Sequence, residues 1–563
     1  MSEERSDAAV PSDAVQRLSE ETVASVAAGE VITRPADVVV ELLENALDAG
    51  ASRVVVAVAG DGTERLRVRD DGQGMSRSDA ELAVERHTTS KLRADTELSA
   101  VETLGFRGEA LPSIATAATL EVVTNDGGPR GTRVVAAGGP GADDVEAVGR
   151  GCGTTVTVQD LFESTPARRE SLAASRTEFA RVSDAVSRYA LVHPDVAITL
   201  THDGSEVLST SGTGEFDDAL LGVYDREMAA QSTTIDAAST VSGVEIGVRG
   251  VLVHPSTTRA RQDHVYVAVG DRPVQNARLR RAVVAGYGDL LPDDRAPIAV
   301  VSLSLPDAWA DHNVHPRKRE VRLRDADSVV SAIESTLRDA LSTADVRHTE
   351  SLSMDLDASL EPLDEGNSDF SDVQVIGQFR DLYLLCERGS ELLVVDQHAA
   401  HERVNYERLR TAVGGDVPTM AVDPPARVRL TPAQSAAVES HRDALAAVGY
   451  DVDQFGATSV RVHSVPAPLG RTATPETVRD AIDALRHGET PDDGREDLLK
   501  DLACDPSLKA GTELSDEAAD KLVERLGLCE NPYACPHGRP TVLTLDEAAF
   551  VRGFDRRGTR MDR

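Results

Sequence analysis

The alternation of apolar and polar residues is clearest between residues 36 and 49, where it predicts an amphipathic helix. Arg34 and Pro35 precede this segment and Gly50 follows it; proline is favoured in a first helical turn and glycine just beyond a last one. At about 100° per residue, apolar side chains fall on one side and acidic or amide side chains on the other. The first set is Val39, Leu42, Leu43 and Ala46, and the second is Glu41, Glu44, Asn45 and Asp48.

The acidic side of this helix has two interpretations. It is either a solvated surface, or it brings Glu41 and Asn45, one turn apart, into a pocket together. In a pocket, a glutamate could orient and deprotonate a water molecule, and the amide oxygen of an asparagine could ligate Mg2+.

Other segments show patterns typical of strands and helices, and they run through the whole chain. Strand patterns are found at 53–58, 66–69, 153–158, 244–253, 264–269, 298–305, 375–378, 382–386, 392–395 and 459–463. Helical patterns are found at 18–29 and 431–448. A chain of 563 residues with this mixture predicts three or four α+β domains, each long enough for its own core.

The charge balance gives information about the salt concentration inside the cell. The formal net charge is −36, and only five of the 59 basic residues are lysine. An acidic, lysine-poor surface is expected in molar salt, where the Debye length is about 3 Å; GC-rich codon usage would also explain the lysine deficit. A proteome-wide acidic bias would hide local basic patches, so DNA remains a possible partner, although molar salt weakens phosphate contacts steeply.

Cysteine use and hydropathy indicate the compartment. The five cysteines are scattered and odd in number, which argues against a disulfide framework. We find no apolar run of about 18 residues and no basic-then-apolar leader. We therefore expect a cytoplasmic protein in a reducing compartment, with no membrane contact.

The second predicted strand runs into Asp70-Asp71-Gly72-Gln73-Gly74. A carboxylate at a strand end can accept a hydrogen bond from an adenine amino group, and glycines let the backbone approach the base. A plain turn uses the same residue types, so the motif alone is weak.

Two later segments have the composition of phosphate-binding loops. Residues 86–91 combine hydroxyl, imidazole and ammonium groups, and residues 105–111 place two glycines before a predicted helix. Free backbone N–H groups at a helix start bind phosphate, especially beside Lys or Arg. The candidate groups are Thr88, Thr89, Ser90, Lys91, Gly105, Phe106, Arg107 and Gly108. A generic loop is the alternative for either segment alone.

The order of these motifs resembles the ATPase fold shared by gyrase, Hsp90, histidine kinases and MutL. Residues 27–35, 44–51 and 105–111 are similar in sequence to the MutL family of mismatch-repair ATPases. The resemblance implies that Glu41 is the general base, Asn45 the Mg2+ ligand and Asp70 the adenine contact. It also implies that ATP is lined by Gly72, Gly74, residues 88–91 and residues 105–108.

The chain departs from the family's sequence pattern at two places and matches it at one further segment. The family usually has Asn where this chain has Asp71, and aromatic-Asn where it has Glu163-Ser164, but neither change touches a proposed chemical group. The run from Asn313 to Arg322 matches a further MutL signature, which implies that Lys318 contacts the γ-phosphate from a second domain. A basic surface loop is the alternative for that run.

Candidate metal ligands gather in the last third. Asp396 and His398 lie two apart at the end of a strand, and Glu402 is one helical turn beyond His398. Cys535 and His537 form a Cys-x-His pair, and Cys504 lies upstream. Carboxylate, imidazole and thiolate groups together suit Zn2+ or a related metal. The alternatives are a helix N-terminus that favours acidic groups, and a buried free cysteine at 504.

The segment from Asp396 to Glu407 resembles the endonuclease signature of nicking MutL proteins, and residues 535–540 resemble their second metal motif. The resemblance implies a homodimer that cuts one DNA strand with Zn2+ and Mn2+, with Asp396 and Glu402 as catalytic groups. It also implies a MutS-type partner. Spacing alone does not separate the role of Glu402 from that of Glu407. Between the two motifs we find no Gln-led clamp-binding peptide, so a sliding clamp remains a possible partner only.

The layout predicted from these observations is a multidomain α+β protein. A mobile segment (1–17) precedes a GHKL (Bergerat) ATPase α/β sandwich (18–218) and a ribosomal-S5-like transducer domain (219–342). An acidic linker (343–372) then leads to a C-terminal α+β dimerisation and endonuclease domain (373–563), with a subdomain inserted at about 428–498. The alternatives are a non-nicking ATP-dependent matchmaker with a structural metal site, and a topoisomerase subunit or histidine kinase on the same ATPase fold.

Overall fold

The computed structural model describes most of the chain in segments. These are residues 32–86, 88, 108–291, 295–306, 309–311, 321–343, 370–413, 419–466, 474–487, 499–500, 503, 513–536 and 538–546. The helix predicted at 18–29 lies outside them. The chain divides into two compact units, one of residues 1–172 with 315–317 and the other of residues 173–314 with 318–563.

The first unit is built on antiparallel strands with helices packed against them. Its six strands are hydrogen-bonded in the order β5-β4-β3-β6-β2-β1. The strands are β1 (Arg53–Ala59), β2 (Arg65–Asp70), β3 (Thr119–Asn125), β4 (Gly131–Ala137), β5 (Asp144–Val148) and β6 (Gly153–Gln159). The helices are α1 (Pro35–Asp48), α2 (Arg77–Ala83), α3 (Ala110–Ala117) and α4 (Pro166–Glu170).

The central helix of the sequence analysis is confirmed as α1. It begins at Pro35 and ends at Asp48, one residue earlier at each end than the pattern predicts. Its apolar side is buried, and α1 packs on β1 and β2. Every second residue of β2 is buried, as its alternation predicts.

The part of the second unit that precedes residue 344 contains both helices and strands. They are α5 (Ser175–Val192), β7 (Ala197–His202), β8 (Ser205–Ser209), α6 (Phe216–Val223), α7 (Arg226–Ala230), β9 (Ser232–Val241), β10 (Val244–Val253), β11 (Thr258–Arg259), β12 (Val265–Val269), β13 (Arg272–Val274), α8 (Ala277–Tyr287), β14 (Ala296–Pro297), β15 (Ala299–Ser304), β16 (Ala310–Asp311), β17 (Arg322–Leu323) and α9 (Ala326–Thr343). A five-stranded sheet has the order β13-β12-β15-β10-β9, with β12 parallel to β15.

Helices α8 and α9 pack together on this sheet and close one hydrophobic core, which runs from Ile235 to Leu341. Gly286 allows the close approach of the two helices, because a Cβ there would lie 2.7 Å from the Cβ of Leu337. The Tyr287 hydroxyl is buried and donates a hydrogen bond to the Val253 carbonyl oxygen at 2.9 Å.

The rest of the second unit contains two further sheets, each with its own core. Its elements are β18 (Gln374–Phe379), β19 (Tyr383–Arg388), β20 (Glu391–Asp396), α10 (Gln397–Val413), β21 (Thr419–Arg429), α11 (Pro432–Val438), α12 (Arg442–Ala447), β22 (Asp451–Gln454), β23 (Ser459–Pro466), α13 (Val478–His487), α14 (Asp516–Gly527) and β24 (Val542–Asp546). The four-stranded sheet β18-β19-β20-β24 packs with α10 and α14, and the three-stranded sheet β21-β23-β22 packs with α11 to α13.

The prediction of one helix at 431–448 is wrong, because this segment forms two helices, α11 and α12. Thr431 and Gln434 cap the start of α11 reciprocally, and α11 ends at Val438. The polar residues 439–441 then form a turn in which the His441 N–H donates to the carbonyl oxygens of Ala437 and Val438. Among the helices in the described segments, none is long and apolar enough to cross a membrane.

Candidate functional site

The start of helix α1 is fixed by one of its own carboxylates. Asp37 Oδ2 accepts hydrogen bonds from the Thr33 N–H at 3.0 Å, the Thr33 hydroxyl at 2.7 Å and the Arg34 N–H at 3.1 Å. These donors precede the helix, and an acidic group in the first turn also complements the helix dipole. The position of every later side chain on α1 follows from this start.

Glu41 and Asn45 lie one turn apart on α1 and are both half-buried. Neither side chain forms a hydrogen bond with any residue that the structure describes, so a carboxylate and an amide are available for a ligand. Glu44, which the helical pattern placed beside them, is buried instead, with 4% of its surface exposed. The acidic side of α1 is therefore not a uniformly solvated face.

Asp70 ends β2 and is buried. Its Oδ1 accepts hydrogen bonds from the Gly72 N–H at 2.9 Å and the Thr154 N–H at 3.2 Å. Burial raises the pKa of Asp70, although these hydrogen bonds and Arg150 partly oppose the shift. Within the described residues, Oδ2 accepts no hydrogen bond, which leaves it free to accept one from an amino group such as that of adenine.

The turn after Asp70 requires glycine at two positions because other backbone lies against it. A Cβ on Gly72 would lie 2.8 Å from the Ala49 carbonyl oxygen, at the end of α1. Gly74 has φ +67°, and a Cβ there would lie 1.9 Å from the Asn125 carbonyl oxygen. The glycines thus bring the end of α1, the turn and the end of β3 together.

Thr88 and Gly108 come from the two candidate phosphate loops and lie next to each other. Gly108 has φ +63°, and a Cβ there would lie 2.1 Å from the Thr88 carbonyl oxygen. The Thr88 hydroxyl donates to the Leu82 and Glu85 carbonyl oxygens. The predicted residues Thr89, Ser90, Lys91, Gly105, Phe106, Arg107 and Lys318 lie outside the described segments.

Three supporting residues were missed by sequence reasoning. Asp71 accepts from the N–H groups of Ser52 and Arg53, both at 2.8 Å, and so ties the turn to the start of β1. Arg150 donates to the carbonyl oxygens of Gly153 and Asp70. Thr124 accepts from the Met75 N–H at 2.9 Å. Asp71 lies within the motif of residues 70–74 and Arg150 lies among the glycines of 149–153, but neither setting indicates these contacts.

The second candidate site begins where β20 meets α10. Asp396 Oδ1 accepts a hydrogen bond from the Ala399 N–H at 3.0 Å, which is the contact of a helix N-cap. The Asp396 N–H donates to the Thr541 carbonyl oxygen at 2.9 Å, at the start of β24. The carboxylate thus has a structural role in starting α10.

The remaining candidate ligands do not converge in the described residues. His398 is half-buried, Glu402 is fully buried on α10, and Cys535 is a buried free thiol. Among the described residues, no three His, Cys, Asp or Glu side chains form a group that could hold a metal ion. Cys504 and His537 lie outside those residues. The predicted Zn2+ or Mn2+ cluster is therefore not supported by the described geometry.

The motif at 396–407 nevertheless lies next to the segment that precedes Cys535, because side chains of α10 form hydrogen bonds with the backbone of that segment. The Arg403 guanidinium donates to the Ala534 carbonyl oxygen at 2.5 Å. Glu407 accepts from the Glu530 N–H at 2.8 Å and the Asn531 N–H at 3.3 Å. Glu407 therefore supports the loop rather than standing free.

Comparison with known proteins gives consistent matches along the chain. Residues 32–137 match the family described as histidine kinase-, DNA gyrase B-, and HSP90-like ATPase. Residues 220–342 match the DNA mismatch repair protein, C-terminal domain, and residues 376–514 match the MutL C terminal dimerisation domain. The DNA mismatch repair protein MutL of Halobacterium salinarum is 38% identical, with 97% of each chain covered.

The chain belongs to the MutL family of DNA mismatch repair proteins. MutL of Deinococcus radiodurans is 39% identical, with 95% of each chain covered. A solved structure, the Aquifex aeolicus MutL ATPase domain complexed with ADP, is 26% identical over 49% of this chain and 93% of that chain, with a TM-score of 0.37. The family prediction is confirmed, and with it an ATPase domain and a MutL dimerisation domain.

The Gly74 turn gives a first test. Gly74→Ala should weaken ATP binding about ten-fold or more, because a Cβ would displace the turn from Asn125, and ten-fold corresponds to about 1.4 kcal/mol. Gly127→Ala is the control: φ there is +94° but no atom lies within 4 Å of the added Cβ, so only backbone strain of about 1–2 kcal/mol is expected. Titration calorimetry would measure both affinities, and equal values would contradict the steric argument.

The Glu407 contacts give a second test. Glu407→Ala should lower the free energy of unfolding of the C-terminal domain by about 1–3 kcal/mol, because two backbone N–H groups lose their acceptor. Glu530→Ala removes an ion pair with Arg410 in which both side chains are more than half exposed, so it should change stability little. Urea unfolding would compare them. A Glu407 variant as stable as the control would exclude the supporting role.

Proposed function

We propose that this MutL-family protein is an ATP-gated dimeric clamp whose C-terminal domain nicks one DNA strand, with the domain layout given above. The observation that carries the ATPase part is the pair Glu41 and Asn45. Both are half-buried on α1, both lack hydrogen-bond partners among the described residues, and α1 ends against the turn that follows Asp70.

Each residue has a role that its environment permits. The Glu41 carboxylate would orient a water molecule and accept its proton, and the Asp70 Oδ2 would accept a hydrogen bond from the adenine amino group. The Asn45 amide oxygen suits Mg2+, which supplies charge neutralisation at the phosphates when bound. Thr88, Gly108 and the segments 89–91 and 105–107 would line the phosphates, and Lys318 would contact the γ-phosphate.

The ATPase roles can be separated by two substitutions on the same helix. Glu41→Gln should bind ATP normally but hydrolyse it about 10²–10⁴-fold more slowly, because the amide cannot accept the proton. Asn45→Ala should instead lose Mg2+-dependent ATP binding. Binding and turnover measured side by side would test both. Turnover retained in Glu41→Gln would remove Glu41 as the base, and unchanged affinity in Asn45→Ala would remove the ligand.

The nicking part rests on the motifs at 396–407 and 535–540, which hydrogen bonds from α10 hold near each other. Asp396, His398, Glu402, Cys504, Cys535 and His537 are the proposed metal ligands, with Zn2+ and Mn2+ as the metals. DNA, a MutS-type protein and a sliding clamp are the proposed partners. Because the described side chains do not converge, we assign no step of the reaction to the metal.

A second candidate is a non-nicking ATP-dependent matchmaker. It is favoured by the N-cap contact of Asp396, which gives this carboxylate a structural role. In this interpretation Asp396 stabilises α10 and has no chemical role.

Substitution of Asp396 distinguishes the two candidates. Asparagine is about as good an N-cap as aspartate, so Asp396→Asn should keep the fold but remove the charge needed for chemistry, whereas Asp396→Ala should also cost about 1 kcal/mol. Nicking of supercoiled plasmid with Mn2+ in high-KCl buffer would be measured, with circular dichroism as the folding control. Nicking by wild type alone supports the nuclease. Equal nicking by wild type and the folded Asp396→Asn variant excludes Asp396 from catalysis.

A further inference from the structure

Helix α13 has two faces with different partners. Its apolar side chains at Val478, Ala481, Ile482 and Leu485 belong to the core of the three-stranded β21-β23-β22 sheet. The opposite face carries charged or titratable groups, which would be solvated if the sheet and its helices stood alone. These groups are Arg479, Asp480, Asp483, Arg486 and His487.

Every one of these five groups meets a side chain of opposite charge type from residues 173–314. The pairs are Arg479–Asp225 at 3.9 Å, Asp480–Arg295 at 2.8 Å, Asp483–His264 at 2.9 Å, Arg486–Asp184, and His487–Asp263 at 3.6 Å. Along the helix, two acidic groups are flanked by basic ones, and each of the five faces a partner of the opposite type. Complementarity of this kind fixes register and orientation.

The centre of the contact is a buried network around Asp483. Its Oδ2 accepts hydrogen bonds from His264 Nε2 at 2.9 Å and Gln434 Nε2 at 2.7 Å, and its Oδ1 accepts one from Arg486 at 3.1 Å. The Tyr224 hydroxyl lies 2.7 Å from the other ring nitrogen of His264. Burial alone would raise the pKa of Asp483, but His264, Arg486 and His487 together hold it well below its ordinary value.

The sheet cores on the two sides are separate, but helix α11 (Pro432–Val438) also packs against helix α5 (Ser175–Val192) across the contact. One core contains residues from Ile235 to Leu341, and the other residues from Val428 to Leu485. The contact therefore combines the packing of these two helices with the charge pairs of α13, and the charge pairs set its register. Contacts between domains of one chain resemble transient interfaces rather than obligate ones.

We propose that the charged face of α13 is a reversible docking surface whose partner is the surface of the same chain formed by Asp184, Asp225, Asp263, His264 and Arg295. Docking holds the three-stranded subdomain against residues 173–314 in one register, and loss of the charge pairs releases it. Any use of this release to control the C-terminal domain rests on the proposed ATP cycle, but the docking itself does not.

The test uses the full chain without nucleotide or DNA, so its outcome is independent of the ATPase and nicking proposals. Small-angle scattering after size exclusion, at one salt and protein concentration, would give the radius of gyration. Asp480→Arg places two arginines together and should increase this radius by about a tenth or more if the subdomain leaves the compact unit. Arg295→Asp should do the same from the other side of the contact.

Two further variants control for misfolding. The swap Asp480→Arg with Arg295→Asp should restore the wild-type radius. Asp453→Arg changes an exposed residue of the same subdomain that pairs with Arg442 within it, so it should leave the radius unchanged. If both single variants stay folded by circular dichroism and keep the wild-type radius, the docking surface is refuted. If they expand and the swap does not restore the radius, the proposed pairing is refuted.

Discussion

The close approach of backbone segments around residues 70–74 is the constraint on which the N-terminal site depends. Gly72 lies against the end of α1 and Gly74 against the end of β3, so no side chain can separate these three elements. The positions of Glu41 and Asn45 relative to Asp70 follow from that contact, because all three residues lie on the elements that it joins. The lack of side chains at Gly72 and Gly74 therefore shapes the site as much as its polar groups do.

The two candidate sites of this chain are built in different ways. In the first unit, Glu41, Asn45 and one oxygen of Asp70 are left without partners among the described residues, as expected where a ligand is to bind. In the C-terminal region, Asp396 and Glu407 already hold backbone N–H groups. The same residue type is thus left without partners in one place and holds local structure in the other, and spacing along the sequence does not separate these two settings.

Much of the fold could be predicted because local pattern and tertiary burial agree there. The strand at 244–253 is found with the predicted bounds, and the helix at 36–49 is shifted by one residue. The edge strand β9 was missed because its Ser, Thr and Ala residues lack a strong alternation. The burial of Glu44 and the roles of Asp71 and Arg150 arise from contacts between distant segments, such as the 80 residues between Asp70 and Arg150. No local pattern carries that information.

The N-cap contact of Asp396 has a consequence for how such families evolve. If a lineage lost DNA cutting and borrowed a separate nuclease, selection for a stable α10 would still favour aspartate, asparagine, serine or threonine at position 396. Drift at that position would be slow and restricted to these few residues. Retention of the first residue of the motif is therefore a poor historical record of catalysis. Residues of the motif that have no such structural role would be the first to change. They would therefore be a better indicator of when DNA cutting was lost.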